Sequence, residues 1–175
     1  MKAGPGWECQ PVEPPGLIVV VRTTVSVGVF EKILKQPAVR RALNLAIDRA
    51  RIVSQLGGPA YASPTCQLLP PGIPGYQRYC PYTANPSPSG AWTAPDLAKA
   101  RRLVAASGTK GMAITVWAGP GEVVPLASER YVVSVLDRLG YAAHLKSFAS
   151  KNRYGSMVAD SRNRAQAGFA FWIAD

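Results

Sequence analysis

A chain of 175 residues with 20 Lys plus Arg against 10 Asp plus Glu carries a formal charge of +10, and its 47% hydrophobic residues suffice for one buried core. Sixteen Gly and 16 Pro exceed the ordinary share and predict long, turn-rich connections in a folded chain. The longest aliphatic run, Leu17 to Val21, is far short of the ~18 apolar residues of a membrane-spanning helix, and Met1 to Cys9 breaks at once with Gly and Pro where an export signal needs a basic start and an apolar stretch.

Residues 1–36 read as an irregular leader, with Pro11, Pro14, Pro15 and Gly16 early in it and one short candidate strand, Val25 to Phe30. Gln36-Pro37 then opens the strongest helix, because Pro is tolerated in a first turn. Val39, Ala42, Leu43, Ala46, Ile47, Ala50 and Val53 recur on one face, Arg40, Arg41, Asn44, Asp48, Arg51 and Gln55 take the other, and Gly57-Gly58 ends the helix. Pro59 to Ala94 has no period and predicts a long Pro/Gly-rich loop. Pro95 opens a second helix, Asp96 to Ser107, stopped by Gly108.

The remainder alternates in type. Met112 to Ala118 reads as a strand, Glu122 to Leu139 as a helix stopped by Gly140, and Tyr141 to Phe148 as a second strand. Lys151 to Arg164 reads as a weak helix, and Phe169 to Ile173 as a third, buried strand. This order predicts an α/β fold with a mostly parallel β-α-β-α-β sheet, whose ligands would sit beyond the carboxyl ends of the strands.

Little in the chain points to catalysis. Cys9, Cys66 and Cys80 have no CxxC partner and no His nearby, so no metal set is expected. Cys66 and Cys80 are either a disulfide stapling the long loop, which requires an oxidising compartment, or two unrelated thiols. Gly119-Pro-Gly121 follows a strand, yet Val124 stands where a dinucleotide fingerprint needs Gly, and the next strand ends without an acidic residue. Ser156 lacks the flanking Gly of a nucleophile elbow, and His144, the one imidazole, falls in a strand pattern. No enzyme and no cofactor is expected.

Two features remain. Arg40-Arg41, Arg101-Arg102 and Lys151-Asn-Arg153 are the densest basic groups, and no basic run reaches five residues. A solvated helix surface accounts for most of this, so nucleic acid is not indicated, although a small basic protein contacting nucleic acid or anionic surfaces is the alternative reading. Trp172 and Asp175 form the other feature, since an indole can wall a pocket and a carboxylate can bind an amine.

The segment Val39-Arg-Arg-Ala-Leu-Asn-Leu-Ala-Ile-Asp-Arg49 resembles the V-R-x-A-L-x-x-A-I-D-R helix of the family 5 extracytoplasmic solute-binding proteins, the peptide, nickel and opine class of ABC importers. Gly57-Gly-Pro-Ala60, Leu69-Pro-Pro-Gly72 with Gly75-Tyr76, Pro95-Asp-Leu-Ala-Lys-Ala-Arg-Arg-Leu103, Leu136-Asp-Arg-Leu-Gly-Tyr141 and Trp172-Ile-Ala-Asp175 are similar to the family's later motifs, in the same order. Ser26 to Lys35 does not reproduce its N-T-x-x-x-P-F-type segment, which leaves residues 1–36 outside the resemblance.

The resemblance implies that residues 37–175 are part of the C-terminal lobe of a type II periplasmic-binding-protein fold. The N-terminal lobe and the export signal would lie outside the chain, and the whole protein would work outside the cytoplasm, in the periplasm or at the cell surface. It implies a non-catalytic role: capturing a peptide or similar small solute and presenting it to an ABC importer permease. Trp172 and Asp175 would face the ligand, Asp175 pairing with its amino terminus. The Cys66 to Cys80 segment looks like a bridged loop of related exported proteins.

Overall fold

The computed structural model describes residues 20–21, 33–66, 74–120 and 125–170. Helix α1, Pro37–Ala46, starts with Pro in its first turn and buries Val39, Ala42, Leu43, Leu45 and Ala46. The long helix expected to reach Gly57 divides here. Ile47 and Asp48 are both extended, and α2, Arg49–Gln55, restarts beyond them.

The break is stabilised at both levels. The Asp48 carboxylate accepts the Arg51 N–H at 3.1 Å, capping α2, and the Asp48 N–H donates to the Tyr131 hydroxyl at 2.9 Å. At the other end Gly57, with φ of +102°, takes the left-handed position. The N–H groups of Gly57 and Gly58 then close on the carbonyls of Ser54 and Val53.

The long loop follows. Cys66 and Cys80 form a disulfide with Cα atoms 5.1 Å apart, which decides between the two readings of those thiols. Farther along, the buried Thr83 hydroxyl accepts the Thr93 N–H at 2.8 Å and donates to the Ala94 carbonyl at 3.0 Å, while the Ala84 N–H reaches the same carbonyl at 2.8 Å. These bonds satisfy backbone groups that no ladder serves. The loop ends where the Asp96 N–H donates to the Leu45 carbonyl of α1 at 2.7 Å, which seats α3, Leu97–Ala106, beside α1.

The sheet contains β1 (Val20–Val21), β2 (Ala113–Ala118), β3 (Ala142–Ser147) and β4 (Ala167–Ala170) in the order β1-β4-β2-β3. Strand β2 is parallel to both β3 and β4, and β1 is antiparallel to β4. Helix α4 (Leu126–Leu139) joins β2 to β3, and α5 (Lys151–Ala159), followed by a short 3-10 turn, joins β3 to β4. The parallel three-strand sheet with intervening helices is the fold class expected from the sequence.

Alternation along β2 separates two cores. Ile114 and Val116 join the main core with α1, α3 and α4, whereas Trp117 packs with Phe148, Ala165, Tyr154, Met157 and Val158. Three further details differ from expectation, the first being that the helix expected over Lys151 to Arg164 ends at Ala159 and gives way to the 3-10 turn Ser161–Asn163. Val20–Val21, inside the segment read as irregular, pairs with β4, and β4 itself begins at Ala167, two residues before the expected start at Phe169. The candidate strand Val25 to Phe30 and the end of the expected third strand, 171–173, lie outside the described residues.

Candidate functional site at the carboxyl edge of the sheet

Strands β2, β3 and β4 run parallel and end at Ala118, Ser147 and Ala170, so their carboxyl ends form one edge of the sheet. Open parallel sheets present ligand sites at such an edge, because the connecting loops there can diverge without disturbing the ladder. A buried acid and an aromatic cluster organise it.

Glu129 comes first. It lies in the first turn of α4 and is 1% exposed, with Oε1 accepting the Gly119 N–H at 3.1 Å directly past β2. Its Oε2 is buried without a partner. Burial disfavours the charged form and raises this carboxyl to about 7, against the opposing pull of the Gly119 hydrogen bond. Below that pH the group is a neutral acid holding the β2 exit to α4.

Phe148 and Tyr154 supply the second part. The Phe148 N–H donates to the Ala118 carbonyl at 2.9 Å, and its ring centre lies 5.1 Å from that of Trp117 and 5.8 Å from that of Tyr154. The Tyr154 hydroxyl donates to the Trp117 carbonyl at 3.4 Å and crosses β4 so closely that a Cβ on Gly168 would lie 2.8 Å from it. The Lys146 ammonium sits 4.1 Å from the Trp117 ring centre. The edge is thus anchored by an aromatic cluster on one face and a buried acid on the other.

Trp172 and Asp175 lie outside the described residues; in sequence they come two and five positions after Ala170, the last residue of β4. Cys66 and Cys80 are brought together as a disulfide in the long loop. His144 is exposed on β3, opposite Thr115 of β2. The Ser156 hydroxyl donates to the Arg153 carbonyl at 3.1 Å, an ordinary intrahelical bond. Glu129 was not among the residues expected at the site. Its signal is positional: it stands three residues before Val132 and seven before Leu136, on the buried stripe of α4.

A sequence model of the family described as bacterial extracellular solute-binding proteins, family 5 middle, matches residues 12–172. The glutathione-binding protein GsiB of Salmonella choleraesuis (strain SC-B67) is 27% identical over 135 residues, which cover 77% of this chain and 24% of that protein. The chain therefore spans about a quarter of the length of the curated relatives it matches.

Two solved structures share the fold at low identity. The ABC transporter substrate-binding protein CtaP of Listeria monocytogenes superposes with a TM-score of 0.66 and 19% identity, over 90% of this chain and 32% of that one. The periplasmic binding protein DppA of Helicobacter pylori, in complex with the peptide STSA, superposes with a TM-score of 0.64 and 22% identity, over 91% and 28%. With a family match over most of its length and a parallel sheet of the same fold, the chain belongs to the bacterial extracellular solute-binding proteins of family 5.

Proposed function

We propose that residues 37–175 form part of the C-terminal lobe of a non-catalytic binding protein that captures peptides or similar small solutes outside the cytoplasm and delivers them to an ABC importer permease. The observation that carries this reading is the family match over residues 12–172 of a chain whose parallel sheet ends at one carboxyl edge. DppA, a structural relative, is in complex with a peptide, and GsiB is a glutathione-binding protein, so a short peptide is the ligand class to test first.

In this reading the sequence after β4 brings Trp172 and Asp175 to that edge, where the indole walls the ligand and the carboxylate pairs with its amino terminus. The Cys66–Cys80 disulfide agrees with an oxidising, extracytoplasmic setting. A second lobe closing over the first would supply the remaining ligand contacts.

Calorimetric titration of the chain with glutathione and with tri- and tetrapeptides tests the proposal. Millimolar-range binding to free amino-terminal peptides is expected for a single lobe, weakened about tenfold by Asp175→Asn and by amino-terminal acetylation of the peptide. Peptide binding that neither Trp172→Ala nor Asp175→Asn alters would overturn the site assignment. No peptide binding by the chain, nor by the chain joined to the N-terminal lobe of a relative, would overturn the function.

A further inference from the structure

Three helices bring guanidinium groups to one place. The Arg51 guanidinium carbon of α2 lies 4.5 Å from the Tyr131 ring centre, and that of Arg138, in the last turn of α4, lies 6.0 Å from the same centre. From α3, the Arg101 Nε donates to the Arg138 carbonyl at 2.9 Å. All three side chains are exposed, while Tyr131 is buried.

Gathering like charges raises their mutual repulsion, and a folded chain ordinarily interleaves carboxylates to offset it. Among the described residues no carboxylate forms a salt bridge with these three arginines. Asp48, next to Arg51 in the fold, caps the Arg51 N–H at 3.1 Å; Asp137, beside Arg138, accepts the Ala143 N–H at 3.1 Å; Asp96 caps the Lys99 N–H at 2.8 Å. Glu129 is buried against Gly119, and among the described residues the carboxylate of a salt bridge is that of Asp160, paired with Arg162 at 2.8 Å. Among the described residues the three guanidinium groups are held by a ring and a backbone carbonyl and form no salt bridge, with the charged Asp48 and Asp137 nearby but bonded to backbone N–H groups. Arg102 on α3 and Arg130 on α4 are exposed and extend the positive surface of these helices.

We propose that this face of α2, α3 and α4 around Tyr131 is a docking surface for the anionic phospholipid headgroups of a bilayer. Guanidinium forks match phosphate oxygens two at a time, and each cation brought to an anionic membrane adds an attraction that extends about a Debye length. An array spread over three helices fits a plane of headgroups better than one small anion, which two guanidinium groups would saturate. The inference rests on the importer reading only for the presence of a membrane nearby. The charge arrangement stands without it.

Sedimentation with vesicles separates the possibilities. The intact chain is mixed with vesicles of phosphatidylcholine containing about 30% phosphatidylglycerol, and with pure phosphatidylcholine, at about 50 mM and about 500 mM salt. Binding to the anionic vesicles alone, lost at high salt, is expected. The Arg51→Gln, Arg101→Gln, Arg138→Gln triple variant should bind about 100-fold more weakly, roughly fivefold per arginine. A charge-matched triple variant on the other side of the sheet, Lys151→Gln, Arg153→Gln, Arg164→Gln, should change binding less than about threefold.

Equal weakening in the two triple variants would overturn the patch in favour of diffuse net charge. Equal binding to neutral vesicles would overturn its electrostatic basis, and tighter, patch-dependent binding to a DNA duplex than to the anionic vesicles would replace the lipid with nucleic acid. Peptide titration of the same triple variant keeps the two readings apart: peptide binding retained with lipid binding lost confirms docking, and peptide binding retained with lipid binding unchanged overturns docking alone.

Discussion

Glu129 reaches from the first turn of α4 to the main-chain N–H of Gly119, 3.1 Å away, and so ties the helix to the exit of β2 from a fully buried position. Its second carboxylate oxygen has no partner. In a low-dielectric site that arrangement favours the protonated acid, because one hydrogen bond does not replace the hydration of a full charge.

The consequence is a stability that depends on pH with a defined sign. In the unfolded chain the carboxyl titrates near its ordinary 4.5, and in the fold near 7, so between these values the folded state binds more protons than the unfolded state. Below pH 4.5 the group makes no difference; as pH rises through the interval, stability falls by up to about 3 kcal/mol, and above 7 the loss is complete. Glu129→Gln still accepts the Gly119 N–H and carries no charge. Urea unfolding at pH 5 and pH 8 should show the variant gaining on the natural chain at pH 8. A natural chain whose stability difference from Glu129→Gln is the same at both values would remove the buried acid from the account.

The sequence made parts of this legible and hid others for physical reasons. Helix α1 is readable because Pro37 and the buried stripe of Val39, Ala42, Leu43 and Ala46 are local signals. The break at Ile47-Asp48 is not, because the apolar spacing continues through Ile47, Ala50 and Val53; the hydroxyl that receives the Asp48 N–H belongs to Tyr131, 83 positions away. The start of β4 is hidden because Ala167 and Gly168 carry no strand pattern; Gly168 lies against the Tyr154 hydroxyl, where a Cβ would come within 2.8 Å, and Ala167 packs in the main core. At the site, the Cys66–Cys80 bridge was one of two open readings. Glu129 falls inside the helix expected from Glu122 to Leu139, at a spacing that matches its buried stripe, and only the fold shows it facing Gly119. Trp172 and Asp175, singled out by their chemistry and by the family resemblance, lie outside the described residues.

Tyr131 serves two structures at once, and its hydroxyl can be removed without its ring. Tyr131→Phe keeps the surface on which Arg51 and Arg138 lie, but leaves the Asp48 N–H without its acceptor in a part-buried place. The expected cost is about 1–3 kcal/mol, a fall in Tm of roughly 2–4 °C per kcal/mol. Hydrogen exchange should quicken at the Asp48 amide and through the first turn of α2, while binding to anionic vesicles stays within about twofold of the natural chain.

The disulfide closes a segment of sequence separation 14, whose described residues lie in neither helix nor strand. Cys66→Ser with Cys80→Ser should lower stability by about 3 kcal/mol, chiefly by freeing the unfolded chain, and a reducing agent should lower the natural chain to the same Tm. The sheet should keep its circular dichroism, because neither Cys lies in a strand. A double variant as stable as the oxidised chain would mean that Thr83 and its bonds to Thr93 and Ala94 hold the loop without the bridge.

Gly168 and Tyr154 make the most local test of how the carboxyl edge is built. Strand β4 passes beneath the Tyr154 hydroxyl, and a methyl group on Gly168 would come within 2.8 Å of that oxygen and 3.2 Å of the Trp117 carbonyl. Gly168→Ala should therefore force Tyr154 off the Trp117 carbonyl and loosen the Trp117, Phe148 and Tyr154 cluster, at a cost of about 1–3 kcal/mol. Tyr154→Phe alone removes the long hydrogen bond to the Trp117 carbonyl, whose loss should cost less than about 1 kcal/mol. The double variant relieves the closest clash and keeps the ring on Phe148, so it should be more stable than Gly168→Ala alone, a non-additivity that a double-mutant cycle reads directly. Strictly additive losses would mean that the strand, not the tyrosine, yields to the added methyl group, and that the edge is not fixed by this contact.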